Sequence, residues 1–342
     1  MAKRDISGFT IAALLSLLAV TAFYFYRRAS ITAESVEKPP AAAVECYRHS
    51  FFTMGTVASF TFYTDSENAA GAAATAAKAE FAKISKLANL YDPASELSRL
   101  NRRAYREDFR CSELMWQILM RAKTAYIASN GEFDVTIKPL MVLWGFYRKE
   151  GKTPPSAAEI AAAKAKVGFD KLILDENKRT IRFSVEGMAL DFGGIAKGLA
   201  LDMAAQAVIA GGVKCGVLDL GGNLKFLPQV PPGQKAYTVA IRNPADPDSI
   251  LERKLSLPGN SAVATSGDYE RFVVLQGKRY GHIISPRTGY PVANPAVTVC
   301  TTSALDADIC STTLYLGGEA AVPRLRRTIA ELQYYFTPIA SN

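Results

Sequence analysis

The chain carries only two histidines, His49 and His282. A zinc or iron site built on imidazole is therefore close to excluded, and any metal must be a hard ion held by oxygen, Mg²⁺ or Ca²⁺. Asp308 and Thr312 stand four residues apart in a stretch with helical periodicity, so they share one face. A carboxylate beside a hydroxyl can hold such an ion and leave positions open for phosphate oxygens. The same pair can also be no more than a local hydrogen bond.

A second candidate is Asp191-Phe192-Gly193-Gly194-Ile195-Ala196-Lys197-Gly198, between a predicted strand and a predicted helix. A glycine-rich strand-to-helix turn exposes backbone N–H groups at the positive end of a helix, which suits phosphate. Lys197 falls in the first helical turn. The segment matches neither a Walker A loop nor a dinucleotide fingerprint, and a tight turn with a solvated lysine explains it as well. Gly131-Glu132-Phe133-Asp134 follows a predicted helix, and Tyr91-Asp92-Pro93-Ala94-Ser95-Glu96 reads as a turn into a short helix capped by Asp92 or Ser95. His282 ends a predicted strand at the turn Ser285-Pro286-Arg287-Thr288-Gly289. It can serve there as a base or simply as a structural side chain.

The elements that must position these residues follow from periodicity. Strands are predicted at 57–63, 171–175, 180–185, 217–220, 237–241, 272–276, 280–284 and 297–301, with a last one near 334. Helices are predicted at about 67–90, 112–129, 195–210, 303–316 and 319–332. This mixture indicates an α+β (mixed α/β) domain with helices packed on a largely antiparallel sheet. No linker divides it.

The 342 residues are 49% hydrophobic and 21% charged, enough for a sizeable core. The net charge of +8 comes from scattered basic residues, with no run that would suit nucleic acid. The first 28 residues differ: Ile6–Tyr26 is almost uninterruptedly apolar, with Lys3 and Arg4 before it and Arg27 and Arg28 after. As a helix this run reaches roughly 30 Å, the thickness of a bilayer core. It is expected to be a transmembrane anchor, a cleaved signal peptide being the alternative. Residues 29–50 read as a tether and 51–342 as the catalytic domain. The five cysteines have no metal-ligand spacing and are expected to be free thiols, a Cys46–Cys111 bridge being the alternative.

The order of the motifs says more than any one of them. Met54-Gly55-Thr56, YDPASELSRLN from Tyr91, GEFDVT from Gly131, DFGGIAKG from Asp191, LDLGGN from Leu218, TSGDYER from Thr265, HIISPRTGYP from His282 and ADICST from Ala307 together resemble the ApbE-like flavin transferases. The clearest departure is Ser285, where the family pattern has an acidic residue. The resemblance implies a T-fold-like architecture and a Mg²⁺-dependent FAD:protein FMN transferase, which moves FMN from FAD to a threonine of a client protein and releases AMP. It implies that Met54, Tyr91, Glu132, Phe133, Asp134, Asp191, Lys197 and His282 contact FAD. Mg²⁺ would be held by the Gly194 carbonyl and the side chains of Asp308 and Thr312. His282 would be the base, with an imidazole-like pKa. The expected setting is the periplasmic face of a bacterial inner membrane, and the expected client a membrane-bound or periplasmic redox protein. A FAD pyrophosphatase or a non-catalytic flavin carrier are the competing readings.

Overall fold

Alternation of side chains builds the first hairpin. In β2 (Thr56–Thr64) Ala58, Phe60 and Phe62 are buried on one face, and all nine residues of β1 (Glu45–Thr53) pair with it. Met54 and Gly55 close the hairpin with φ of 49° and 75°, the left-handed pair that a tight two-residue turn requires. In the computed structural model, residues 44–147, 153–243, 246–268, 271–329 and 331–337 are described, and Ala43–Asn342 is one compact unit.

The chain continues through α1 (Glu67–Ala88), α2 (Glu96–Arg103), β3 (Phe109–Arg110) and α3 (Glu113–Ser129), then α4 (Lys138–Leu143) and α5 (Ala157–Lys164). Next come the β4–β5 hairpin (Leu172–Asp175, Thr180–Phe183), α6 (Ala196–Ala210) and the β6–β7 hairpin (Gly216–Leu220, Asn223–Phe226). Strands β8 (Tyr237–Asn243), β9 (Asp246–Leu257), β10 (Ala262–Ser266), β11 (Phe272–Leu275), β12 (Lys278–Gly281) and β13 (Val297–Thr301) follow. The fold ends with α7 (Ala304–Gly317), α8 (Val322–Leu325) and β14 (Gln333–Phe336).

The main sheet has seven strands in the order β1-β2-β6-β7-β10-β13-β14, and every neighbouring pair is antiparallel. Helix α1 packs on α6, α6 on α7, and α7 on β10 and β13. Phe60, Phe62 and Phe81 meet there as an aromatic cluster, each worth roughly 1.5–3 kcal/mol of burial. A separate cluster of Leu140, Trp144, Ile160, Leu275 and Ile284 sits under the β11–β12 ribbon.

The antiparallel α+β architecture is as expected, but three expectations are corrected. No helix among the described residues is long and apolar enough to cross a membrane; the longest, α1, has 22 residues and exposes Lys78, Lys83 and Lys86 along its outer side. The spanning helix expected within residues 6–26 lies outside the described residues, which form the mixed α/β domain. Residues 45–50, assigned to a tether, belong to β1. The helix expected over 319–332 shrinks to a 3₁₀ turn and the four residues of α8, because Gly317 and Gly318 end α7 and Pro323 restarts the chain. All five cysteines are free thiols, four of them buried and Cys46 exposed.

Candidate active site

The glycine turn before α6 is held at both ends. The Asp191 N–H donates to the Val135 carbonyl (2.7 Å). Its carboxylate accepts from the Gly193 N–H (2.6 Å) and from the Tyr147 hydroxyl. Beyond the turn, the Gly198 N–H donates to Asp308 Oδ2 (3.1 Å) and not to the Gly194 carbonyl four residues back, as a regular helical turn would. That carbonyl is thereby left for another partner. Gly198 is needed for this, since a Cβ there would lie 2.3 Å from the Ala304 carbonyl oxygen of α7.

Helix α7 brings its polar face to the same place. A Cβ on Gly194 would lie 3.2 Å from Thr312 Oγ1 and 3.1 Å from the Phe133 ring. Asp308 is buried, and its Oδ1 accepts from Asn223 Nδ2 (2.8 Å). Thr312 Oγ1 donates to the Asp308 carbonyl (3.2 Å), which leaves its lone pairs free. A carbonyl, a carboxylate and a hydroxyl therefore converge, each with acceptor capacity left. This all-oxygen set fits a hard divalent ion. No cluster of three His, Cys, Asp or Glu that could hold a metal occurs among the described residues.

Three residues that sequence reasoning missed lock the two helices. Asp202 of α6 accepts from Ser303 Oγ (2.7 Å) and from the Ala304 and Leu305 N–H groups (2.9 and 3.0 Å), capping α7. Lys225 is buried beside it, donating to Asn260 and to the Thr302 carbonyl (3.0 and 2.5 Å). Burial lowers its pKa, and Asp202, 3.8 Å away, opposes that. Asn223 is the third. The spacing of Gly198 and Asp202, one helical turn apart, is the signal that could have revealed the shared face; Lys225, on β7, carries no such sign.

His282 is half-buried at the end of β12, and its Nδ1 lies 3.1 Å from the Arg271 carbonyl. A carbonyl only accepts, so Nδ1 carries the hydrogen and Nε2 is left to take a proton. Burial, the Arg271 charge and Lys197 push its pKa down to about 4. The imidazole-like value expected from the sequence is corrected accordingly: two cations and desolvation all disfavour the charged ring. Lys197 lies in the first turn of α6, directly after the glycine turn. Ser285 takes up the turn-forming role of the expected acidic residue, accepting from the Thr288 N–H (3.3 Å).

The remaining residues divide. Tyr91 is 67% exposed and meets Tyr147 edge-on at 6.3 Å, joining it to Asp191. It lines a cavity of about 320 Å³ with Arg102, Lys138 and Ala189. Met54 lies at the hairpin turn, and the neighbouring Val57 carbonyl accepts from the Gly221 N–H (3.0 Å) beside Asn223. Glu132 is taken up by Arg287 Nε (2.6 Å), which ties the HIISPRTG turn to the GEFD turn. Asp134 faces inward: it accepts from the Thr136 N–H and Oγ1 (2.8 and 2.7 Å), and burial raises its pKa to about 6.

The chain is similar to known proteins over most of its length. The ApbE family matches residues 54–336. A "FAD:protein FMN transferase" of Klebsiella pneumoniae is 35% identical over 238 residues, covering 68% of this chain and 72% of the relative. One of Vibrio cholerae is 33% identical over 233 residues, covering 67% and 68%. Among solved structures, the ApbE protein of Thermotoga maritima superposes with a TM-score of 0.77 at 27% identity, covering 85% of this chain and 94% of its own. The apo flavinyl transferase ApbE of Pseudomonas stutzeri gives 0.75 at 27% identity, covering 87% and 92%. The chain belongs to the ApbE family.

Proposed function

We infer that this protein is a FAD:protein FMN transferase. The observation that carries the reading is the convergence of the Gly194 carbonyl, Asp308 carboxylate and Thr312 hydroxyl on a glycine turn that runs into the helix bearing Lys197. Family membership and the curated relatives support the reaction; the oxygen set supports Mg²⁺ as the ion. Bound at those three groups, Mg²⁺ would neutralise charge on the pyrophosphate and make AMP a better leaving group.

The chain's own residues do the rest. Lys197 pairs with a phosphate oxygen near the positive end of α6. Tyr91 offers its face to a flat ring of FAD. Asp191, Glu132, Phe133, Asp134 and Met54 shape the cleft between those ends, Asp134 through the turn it caps. A threonine hydroxyl of the client attacks the FMN phosphorus. The new P–O bond forms as the bridging P–O bond to AMP breaks, and the hydroxyl proton passes to His282 Nε2. We place the domain outside the cytoplasm of a bacterium, with a redox protein of that compartment as client. The basic-then-apolar opening of residues 1–28 supports that location.

The test is to incubate the full chain with FAD, Mg²⁺ and a threonine-bearing client, then follow AMP release and flavin fluorescence on a denaturing gel. A fluorescent client band with AMP is expected. AMP without a labelled client would make the protein a pyrophosphatase, and intact FAD would make it a flavin carrier.

A further inference from the structure

We propose that Asn223 is a positioning residue: its side-chain amide aims the Asp308 carboxylate at the divalent ion and sets how tightly that ion binds. The inference rests on the Mg²⁺ reading above and assigns a role to a residue for which the motif LDLGGN suggested none.

Asn223 Nδ2 donates to Asp308 Oδ1 (2.8 Å), while the Gly198 N–H donates to Oδ2 (3.1 Å). The carboxylate is thus gripped at both oxygens from two different elements, which fixes its rotation. Each oxygen keeps a second lone-pair direction for a ligand. The partners of a ligating group orient it and tune its affinity, and losing one typically costs about 10–100-fold in metal binding.

The placement of the amide is itself rigid. Leu220 pairs directly with Asn223 across a two-residue turn, Gly221-Gly222, with φ of 63° and 93°. The Gly222 N–H is tied to Asp219 Oδ1 (2.8 Å) and the Gly221 N–H to Val57 (3.0 Å). A Cβ on Gly221 would lie 2.7 Å from Thr56 Oγ1. The hairpin is packed against β2 and cannot drift, and Asn223 itself is only 3% exposed. A buried amide with a fixed backbone and one carboxylate in reach is built to orient that carboxylate.

The experiment is a Mg²⁺ titration of the full chain, read as the rise in melting temperature. It compares wild type with Asn223→Ala and Asn223→Leu, the second keeping the side chain's shape while removing its donor. The Mg²⁺ concentration for half-maximal stabilisation should rise about 10–100-fold in both variants. FAD affinity measured in EDTA should stay at the wild-type value, since the amide faces the carboxylate. Variants that melt lower in EDTA yet respond to Mg²⁺ at the wild-type midpoint would make Asn223 a packing residue and overturn the proposal. A wild type with no Mg²⁺ response would instead remove the metal reading on which the proposal rests.

Discussion

The two regions of the candidate site are built differently. Around Asp308 the groups are buried and held in place: Asp308 and Asn223 are 5% and 3% exposed, and helices α6 and α7 are cross-tied by Asp202 and Gly198. Around Tyr91 the wall is open, with the residue 67% exposed and its ring meeting the edge of Tyr147. The contrast follows from what each end has to do. Stabilising charge that develops on phosphorus requires dipoles and ligands fixed before the reaction, because reorganising them during it raises the barrier. Holding a flat ring needs only a surface and room, and that contribution is much the same before and during the chemistry.

The largest effect should come from the rigid end. Asp308→Ala combined with Thr312→Ala removes two of the three oxygen groups that converge by Gly194, and AMP release should cease. EDTA in excess should have the same consequence in wild type, reversed by Mg²⁺. Normal turnover by the double variant would mean that the pinned carboxylate has no part in the chemistry.

His282→Ala should cost about 10²–10⁴-fold in rate, the usual contribution of a general base, with FAD affinity retained. Because burial, Arg271 and Lys197 hold the ring's pKa at about 4, kcat/KM should stay level down to weakly acid pH and fall only near pH 4. Bound pyrophosphate brings negative charge beside the ring and raises its pKa, so the limb of kcat should lie at higher pH than that of kcat/KM. The same shift has a stability consequence. The folded ring binds its proton less readily than the unfolded one, whose pKa is about 6.5. This contribution is intact above about pH 6.5 and is lost as pH falls toward 4. Asp134, raised to about 6, acts the other way, its burial costing stability as pH rises from about 4 to 6. A kcat/KM profile with its acid limb at pH 6.5 would show that the ring is solvated in solution.

Local pattern made part of this legible. The helix bearing Asp308 and Thr312, the Gly-rich turn at Asp191 and the long run of antiparallel strands all carry their own periodicity or punctuation. Strand β1 did not, because ECYRHSFFT is an edge strand whose side chains are largely exposed, so no alternation of apolar residues marks it. The partners of Asp308 were hidden for another reason: Asn223 lies 85 positions away and Gly198 110, and only the sheet and helix packing bring them together. The lowered pKa of His282 likewise depends on Arg271 and Lys197, which come from separate segments.

Gly198→Ala tests whether the rigid end owes its geometry to close helix packing. The added Cβ would meet backbone of α7 at 2.3 Å, and backbone cannot swing aside. The helices must separate, at a cost of about 3 kcal/mol, the upper end of what overpacking a core usually costs. The Gly198 N–H would then leave Asp308, so the Mg²⁺ requirement should rise along with the fall in melting temperature. A variant with unchanged melting and unchanged Mg²⁺ midpoint would show that α6 and α7 have slack between them.

Tyr91→Ala probes the open end, where the effect should be smallest and of a different kind. The exposed side chain contributes little to the fold, so the melting temperature should hardly change. What is lost is a platform for a flat ring, worth about 1–3 kcal/mol in comparable stacking on nucleic-acid bases. That corresponds to a weakening of FAD binding by roughly 5- to 150-fold. Tyr91 lies at a cavity shared with Arg102 and Lys138 that Asp308 does not line, so the loss should appear in KM while kcat at saturating FAD stays near wild type. Tyr91→Phe keeps the ring face and should restore most of the affinity. Measuring KM and kcat for both variants separates the two regions. A large fall in kcat for Tyr91→Ala, with FAD affinity unchanged, would mean that the open region also governs the chemistry.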